Sequence, residues 1–281
     1  MEFVKMHGLG NDFIIVQTGS WEEAGDLQPY ARMICDRNFG VGADGLVAIG
    51  KDPQMDIFMR IFNPDGSEAE MCGNAIRCVA RYAYENGLVK EPNLSLRTLA
   101  GSRYPVVETS AGQVKNIKVD MGKPILKRSL IPVQGRGSNV KILLEASMGT
   151  IEATAVSMGN PHCIIFVDDI NKIPVALWGA ELEVHPFFPA KTNVEFVQIL
   201  GRNEMIMRVF ERGAGLTLAC GTGACAALVA AVLNGFADRD ARVHLPGGDL
   251  LIEWSQDDQH VYMTGPAEQV FQGSIDLQQI T

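Results

Sequence analysis

Two cysteines occupy equivalent places in a repeated segment of the chain. Cys72 and Cys220 lie 148 positions apart, each precedes a glycine, and each stands before a segment predicted to be helical. A cysteine at the N-terminal end of a helix lies near unpaired backbone N–H groups and the positive end of the helix dipole. Its pKa can fall well below the ~8.5 of a free thiol. Two such thiols predict acid–base chemistry in which one thiolate removes a proton and the other thiol supplies one.

The repeat extends well beyond the cysteines. Residues 59–62 match residues 207–210, and the closing Asn-Gly pair at 86–87 matches that at 234–235, all with the same offset of 148. Residues 10–13 are echoed by residues 159–162 with an offset of 149. We interpret this pattern as an internal duplication. It predicts that the two thiols face each other across a cleft, on opposite sides of one substrate carbon.

The spacing of apolar residues predicts the elements that position the thiols. Residues 73–84 have the period of an amphipathic helix, and the helix after Cys220 is apolar on nearly all sides, which predicts that it is buried. Short strands separated by turns fill most of the remaining chain. We therefore predict an α/β (α+β) fold of two pseudo-symmetric halves, each a mostly antiparallel sheet wrapped around a central helix. The first half is predicted to end near residue 120.

Composition and charge exclude several classes of function. The chain has 281 residues, a formal net charge of −9 and six cysteines, none of them in a Cys-x-x-Cys pair. The negative charge argues against a nucleic-acid partner, and the longest apolar run is too short to span a membrane. Reduced cysteines without an apparent secretory signal predict a cytoplasmic protein. No metal site is predicted, and the partner is expected to be a small molecule.

Each candidate residue also has a structural interpretation. A lone cysteine in an apolar segment is usually a small buried hydrophobe, and we expect this of Cys35, Cys78, Cys163 and Cys225. His162 could be a satisfied loop histidine, and Glu211 with Arg212 an ordinary exposed pair. Asparagines in loops could be turn residues and nothing more. These asparagines are Asn11, Asn160 and Asn193.

Four segments, taken in order, resemble the diaminopimelate epimerase family. They are residues 6–13, 66–74, 158–162 and 211–225. The resemblance covers the whole chain. It implies the diaminopimelate epimerase-like fold and the interconversion of LL- and meso-2,6-diaminopimelate without a cofactor, in lysine and peptidoglycan precursor biosynthesis. It also implies a homodimer and a C-terminal tail, 266–281, that joins the first half (1–120), leaving 121–265 as the second half.

The resemblance also implies roles for individual residues. Cys72 and Cys220 would be the catalytic proton donor and acceptor, with their pKa values modulated by His162 and Glu211. Substrate would be bound by a set of amides, asparagines and charged side chains: Asn11, Asn63, Gly73, Asn74, Asn160, Asn193, Glu211, Arg212, Gly221 and Thr222. The chain departs from the family pattern at Gly45, Pro64 and Ala75. None of these departures involves a thiol.

Two rival functions use the same cysteines. One is a two-thiol racemase acting on proline or hydroxyproline, which would not need Arg212 and the asparagines. The other is a thiol redox protein that cycles Cys72 and Cys220 through a disulfide. A binding module without catalysis would leave the paired cysteines unexplained.

Overall fold

The computed structural model describes residues 1–277, and the chain divides into two compact units. The first unit contains Met1–Asp120 together with the chain from Thr264 onwards, and the second contains Met121–Met263. The tail predicted to join the first half, 266–281, lies in the first unit as far as it is described. Its last four residues, 278–281, lie outside the described residues.

Strands dominate both units. The first unit has strands β1 (Glu2–Gly8), β2 (Asn11–Gln17), β3 (Gly45–Lys51), β4 (Ile57–Phe62), β5 (Glu68–Ala69), β6 (Leu96–Thr98), β7 (Gly101–Arg103), β8 (Val106–Ser110) and β9 (Gln113–Asp120). The second has β10 (Ile142–Ala146), β11 (Gly149–Ser157), β12 (Pro161–Phe166), β13 (Asn193–Gly201), β14 (Glu204–Glu211), β15 (Gly215–Leu216), β16 (Asp240–Leu245), β17 (Gly248–Trp254) and β18 (Val261–Gly265). β19 (Glu268–Ser274) then returns to the first unit.

The helices are fewer and mostly short. The first unit has α1 (Trp21–Gly25), α2 (Ala31–Cys35) and α3 (Gly73–Glu85), and the second has α4 (Val175–Glu183) and α5 (Gly221–Leu233). Within the described residues no helix is long and apolar enough to cross a membrane.

The sheets of the two units repeat one topology. In the first unit the order is β19-β1-β2-β3-β4-β6-β7, with β5 beside β4. In the second it is β10-β11-β12-β13-β14-β16-β17-β18, with β15 beside β14. The pairs β2/β3 and β4/β6 are parallel, as are the equivalent pairs β12/β13 and β14/β16. The neighbouring pairs are antiparallel. The predicted fold of two pseudo-symmetric, mostly antiparallel halves is therefore confirmed.

One long helix packs on the sheet of each unit and begins directly after a candidate cysteine. α5 packs against β11, β12, β13 and β17, and nearly all of its residues are buried. Its many alanines let the strands approach closely, and each larger apolar side chain, such as Leu228, contributes about 1.5–3 kcal/mol through burial. α3 is amphipathic and packs against β1, β2, β8 and β9. Both helices match their predicted positions.

α3 also carries two arginines that hold the returning chain. Arg77, which is fully buried, donates from Nε to the carbonyl oxygen of Pro266 at 3.1 Å. Arg81 donates to the carbonyl oxygen of Ala267 and forms an ion pair of 2.8 Å with Glu268. Glu268 begins β19, which pairs with β1 in antiparallel register. The C-terminal segment is thus fixed to the helix that Cys72 precedes.

Candidate active site

Cys72 is the N-cap residue of α3 in the first unit. Its backbone is extended, with φ −145° and ψ 119°, and its side chain makes no capping hydrogen bond to the helix. Gly73 and Asn74, which form the first turn, are buried, whereas Cys72 is partly exposed. The backbone N–H groups of this first turn have no partner further back along the helix. The turn can therefore accept a carboxylate beside the thiol.

Two asparagines lie next to the Cys72 thiol. Asn11 directs its side-chain oxygen, Oδ1, towards Cys72 Sγ at 3.9 Å. The same oxygen accepts a hydrogen bond of 2.9 Å from Asn74 Nδ2. Asn11 Nδ2 donates to Asp44 Oδ2 at 2.8 Å, which fixes the orientation of the amide. The structure thus brings together Asn11, Cys72 and Asn74.

A cluster of charged side chains supports Asn11. Asp12 is paired with Lys5 at 2.9 Å and with Arg37 at 2.7 Å, and Arg37 also reaches Asp44 at 2.7 Å. Burial alone would raise the pKa of Asp12, but hydrogen bonds from Arg37 and Lys5 and the Lys5 charge lower it to about 2. Asp12 therefore stays ionised at neutral pH, and its ion pairs hold the start of β2 in place.

Asn63 makes a different set of contacts. It follows β4, and its Nδ2 donates to Ser67 Oγ at 2.9 Å. Its backbone N–H donates to the carbonyl oxygen of Ser67 and closes the polar loop. Asn63 is therefore ordered by its own loop rather than by the Asn11 group.

Cys220 is the equivalent N-cap residue in the second unit, but its surroundings differ. Its backbone is also extended, with φ −123° and ψ 108°, and 4% of the residue is exposed. Burial raises the pKa of the Cys220 thiol well above its ordinary value, and the charges of Glu211 and Glu195 raise it further. A hydrogen bond with Thr222 and another from the Gly223 backbone act in the opposite direction. The expectation of a lowered pKa is wrong for Cys220, because desolvation and two carboxylates outweigh the helix N-terminus.

A buried histidine–carboxylate pair lies behind this thiol. His162 and Glu195 are both fully buried on adjacent strands, and His162 Nδ1 lies 2.7 Å from Glu195 Oε1. His162 Nε2 lies 3.0 Å from Asn160 Oδ1, and Asn160 Nδ2 donates to Thr222 Oγ1 at 3.4 Å. Thr222 Oγ1 lies 3.5 Å from Cys220 Sγ. The structure thus joins three of the predicted residues (Asn160, His162 and Thr222) in one network that ends at Cys220.

The remaining predicted residues of this unit lie around the end of β14. Asn193 is buried; its Oδ1 accepts from the backbone N–H of Arg212 at 2.9 Å and its Nδ2 donates to the carbonyl oxygen of Pro161. The Arg212 side chain is exposed and donates to the carbonyl oxygen of Ala190 at 3.0 Å. Glu211 accepts a hydrogen bond from Thr217. Asn193 therefore links the Arg212 loop to the start of β12.

Sequence reasoning missed two residues of this region, Glu195 and Gly223. A Cβ atom added to Gly223 would lie 2.7 Å from Glu195 Oε1 and 3.2 Å from Cys220 Sγ, so both atoms border the same small space. The available signal for Glu195 was a single charge inside the apolar segment 194–197. An ionisable side chain in such a strand is expected to have a partner.

The other cysteines behave as predicted. Cys35, Cys78, Cys163 and Cys225 are buried, and no disulfide links any of the six cysteines. Burial raises the pKa of Cys35 and of Cys78 to about 12, and raises that of Cys163 further. Among residues 1–277 no group of three or more His, Cys, Asp or Glu side chains is placed to hold a metal ion.

Solved structures of distantly similar sequence share the fold. A probable proline racemase from Agrobacterium radiobacter K84 superposes with a TM-score of 0.71 at 16% identity, covering 98% of this chain and 93% of that one. A hydroxyproline epimerase from Agrobacterium vitis superposes with a TM-score of 0.68 at 17% identity, covering 97% and 91%. Identities this low show a common fold and nothing about substrate.

Sequence relatives define the family. The model of the family described as diaminopimelate epimerase matches residues 3–127 and 154–270. The diaminopimelate epimerase of Moorella thermoacetica is 54% identical over 278 residues, covering 99% of this chain and all of that protein. That of Pelotomaculum thermopropionicum is 55% identical, covering 97% of this chain and 98% of that protein. The chain belongs to the diaminopimelate epimerase family.

Proposed function

We propose that this protein is an isomerase that interconverts LL- and meso-2,6-diaminopimelate, without a cofactor, in lysine and peptidoglycan precursor biosynthesis. Family membership and identities of 54–55% to diaminopimelate epimerases over nearly the full length support this substrate. The observation that carries the reaction type is a cysteine at the N-cap of the equivalent helix in each pseudo-symmetric unit.

The proposed chemistry is a proton exchange between the two thiols and the α-carbon. One thiolate takes the α-proton and leaves the electron pair on the carbon, and the opposite thiol gives its proton to the other face. Cys72 and Cys220 exchange these roles when the direction of the reaction reverses. The α-carboxylate is held by the helix N-termini, where anions bind favourably. The amides that we assign to it belong to Gly73, Asn74, Gly221 and Thr222.

The rest of the proposed binding set recognises the distal end of the substrate. Arg212 is suited to the distal carboxylate, because a guanidinium can donate two parallel hydrogen bonds to it. Glu211 can pair with the distal ammonium group, and it also raises the pKa of Cys220 through its charge. His162 acts on Cys220 through the network described above. The asparagines assigned to substrate are Asn11, Asn63, Asn160 and Asn193.

The direct test is incubation of the reduced protein with LL-diaminopimelate, followed by chiral separation of the products. Proline and hydroxyproline serve as control substrates. In deuterated water, label should first appear in the product epimer and not in recovered substrate, because different groups handle the two protons. Equal early labelling of both epimers would contradict the two-base scheme. Epimerisation of proline but not of diaminopimelate would contradict the proposed substrate.

Replacement of the individual cysteines tests their assignment. Cys72→Ala and Cys220→Ala should each abolish epimerisation while the variants remain folded. Cys78→Ala and Cys225→Ala are matched controls, since these cysteines lie in the same two helices, α3 and α5, away from the N-caps. The controls should retain turnover. Turnover by Cys72→Ala or Cys220→Ala would remove that residue from its role.

We also propose that the protein is a cytoplasmic homodimer. Six cysteines without a disulfide are typical of a reducing compartment. Sedimentation of the purified protein over a range of concentrations tests the dimer. A monomer at every concentration at which the enzyme is active would exclude it.

A further inference from the structure

We propose that Glu195 is a positioning residue for Cys220. Through His162 and Asn160 it orients the Thr222 hydroxyl so that the hydroxyl hydrogen points at Cys220 Sγ and supports the thiolate. The proposal rests on the proposed function, in which Cys220 exchanges a proton with the substrate.

The donors and acceptors of the network fix its direction. Asn160 Nδ2, which can only donate, faces Thr222 Oγ1, so the amide presents its oxygen to His162 Nε2 at 3.0 Å. His162 must therefore carry a proton on Nε2. Thr222 Oγ1 uses a lone pair for Asn160, and its own hydrogen remains to be donated. Cys220 Sγ lies 3.5 Å from that oxygen and is a suitable acceptor when it is ionised.

Glu195 is what keeps His162 in this orientation. A single proton between His162 Nδ1 and Glu195 Oε1, 2.7 Å apart, is compatible with a proton on Nε2. Burial raises the pKa of Glu195, whereas the neighbouring His162 lowers it. Within residues 1–277 the second oxygen, Oε2, is buried and has no hydrogen-bond partner. All of the hydrogen bonding of this carboxyl group is thus directed at His162.

The thiol needs such a donor, because the groups around it oppose ionisation. Glu211 and Glu195 both raise the pKa of Cys220, in addition to burial. The groups that lower it are Thr222 and the backbone N–H of Gly223. Glu195 therefore acts on Cys220 in two opposite ways. Its charge disfavours the Cys220 thiolate, whereas its hydrogen bond to His162 orients the network whose last member, Thr222, favours the thiolate. This opposition makes the two effects separable.

In the part of the first unit that the structure describes, apolar side chains stand where the second unit has the histidine–carboxylate pair. Phe13 and Val47 occupy the places of His162 and Glu195, as the strand registers show, and neither side chain forms hydrogen bonds. Asn11 is oriented by Asp44, with its oxygen towards Cys72 Sγ. The side chains described beside the two thiols thus differ: an amide oxygen lies next to Cys72 and a hydroxyl group next to Cys220.

Two substitutions of Glu195 separate charge from orientation. Glu195→Gln and Glu195→Leu both remove the charge, but the glutamine amide can still donate to His162 Nδ1. If orientation matters, kcat/KM for diaminopimelate should be about tenfold or more lower in E195L than in E195Q. This is the effect of losing one hydrogen bond to a charged group, here the bond from the Thr222 hydroxyl to the Cys220 thiolate. The pH at which Cys220 ionises should also be higher in E195L than in E195Q. That pH is measured by carbon-13 NMR of cysteine-labelled protein, with the Cys220 signal assigned by Cys220→Ser.

The chain offers a matched control in the same unit. His244 lies 2.9 Å from Glu204, so Glu204→Leu and Glu204→Gln change another histidine–carboxylate pair. Neither change should alter the ionisation of Cys220 or separate the two variants in kcat/KM. A difference between E204L and E204Q as large as that at Glu195 would show a general effect on the unit and would overturn the proposal.

Substitution at Thr222 tests the last member of the hydrogen-bonded network, next to Cys220. Cys220 should ionise at a higher pH in Thr222→Val than in Thr222→Ser. In the T222V background, E195L and E195Q should no longer differ in the pH at which Cys220 ionises. Identical Cys220 titrations in E195L and E195Q would refute the proposal. If E195L does not fold by circular dichroism, Glu195→Met, which is close in size to glutamine but cannot donate to His162, takes its place in the comparison with E195Q. A wild-type protein that fails to epimerise diaminopimelate would refute the proposed function and leave these titrations interpretable.

Discussion

Gly223→Ala provides a sharp test of the packing behind Cys220. At an ordinary position in a helix, replacing glycine by alanine stabilises the protein by up to about 1 kcal/mol. At Gly223 the added methyl group would lie 2.7 Å from Glu195 Oε1 and 3.2 Å from Cys220 Sγ, closer than normal contact distances. Because Glu195 is fully buried and bonded to His162, it cannot move into solvent.

The expected magnitude follows from these two opposing effects. Adding a methyl group to a packed interior destabilises by about 1–3 kcal/mol. After the gain in helix propensity, we expect the free energy of unfolding of Gly223→Ala to fall by about 1 kcal/mol. Activity should fall more steeply, with kcat/KM reduced about tenfold or more. The reason is that the methyl group displaces the Glu195 carboxyl group, which is hydrogen-bonded to His162. Urea denaturation and steady-state kinetics measure the two quantities.

The first unit supplies the matched control. Ala75 occupies the position equivalent to Gly223, three residues after its own cysteine. Ala75→Gly should lower the free energy of unfolding, since helix propensity and a buried methyl group are lost, with a much smaller change in kcat/KM. A Gly223→Ala variant that is as stable and as active as wild type would refute the reasoning.

Three further outcomes are expected. Asp12→Asn should lower the free energy of unfolding by about 2 kcal/mol at neutral pH, because the pKa of Asp12 is lowered to about 2 in the folded protein. Urea denaturation should show the full difference from wild type above pH ~4, and this difference should vanish as the pH falls towards 2. Arg212→Lys should raise KM for diaminopimelate about tenfold with a smaller effect on kcat, since lysine cannot make the bidentate contact; an unchanged KM would exclude that contact. Gly179→Ala should destabilise by about 1–3 kcal/mol, because its Cβ would overlap the Phe210 side chain, and a higher melting temperature would contradict this.

The repeat made most of the fold predictable. A shared offset fixed the positions of α3 and α5, and the apolar spacing then gave their buried faces. α1 and α4 were missed, although Ser20 and Glu23 form a helix-start signal that could have been used: Ser20 Oγ accepts from the backbone N–H of Glu23. α4 has no side-chain cap at its N-terminus, so local sequence offers less there.

The site was predictable as a set of residue types but not as a network. Motifs located the two cysteines and the asparagines near them. The motifs did not show that Asn11 turns its oxygen towards one thiol while Asn160 turns its oxygen towards His162, because amide orientation depends on the partners that folding supplies. Glu195 was missed because a repeat draws attention to what the halves share. The equivalent position in the first half is Val47, so Glu195 has no matching residue there and does not appear in the repeated pattern.

The return of β19 to the first sheet has a consequence for how this protein is made. Residues 2–8 acquire their outer neighbour only when residues 268–274 have been synthesised. On the ribosome, the intervening unit can complete its own sheet first, while the earlier unit waits with β1 as an open edge. Arg77 and Arg81 then receive the backbone of residues 266–268 in a final closing step that spans nearly the whole polypeptide. Contacts so distant along the chain form slowly. A chain that is terminated before residue 268 would contain a complete second unit and a first unit that lacks β19.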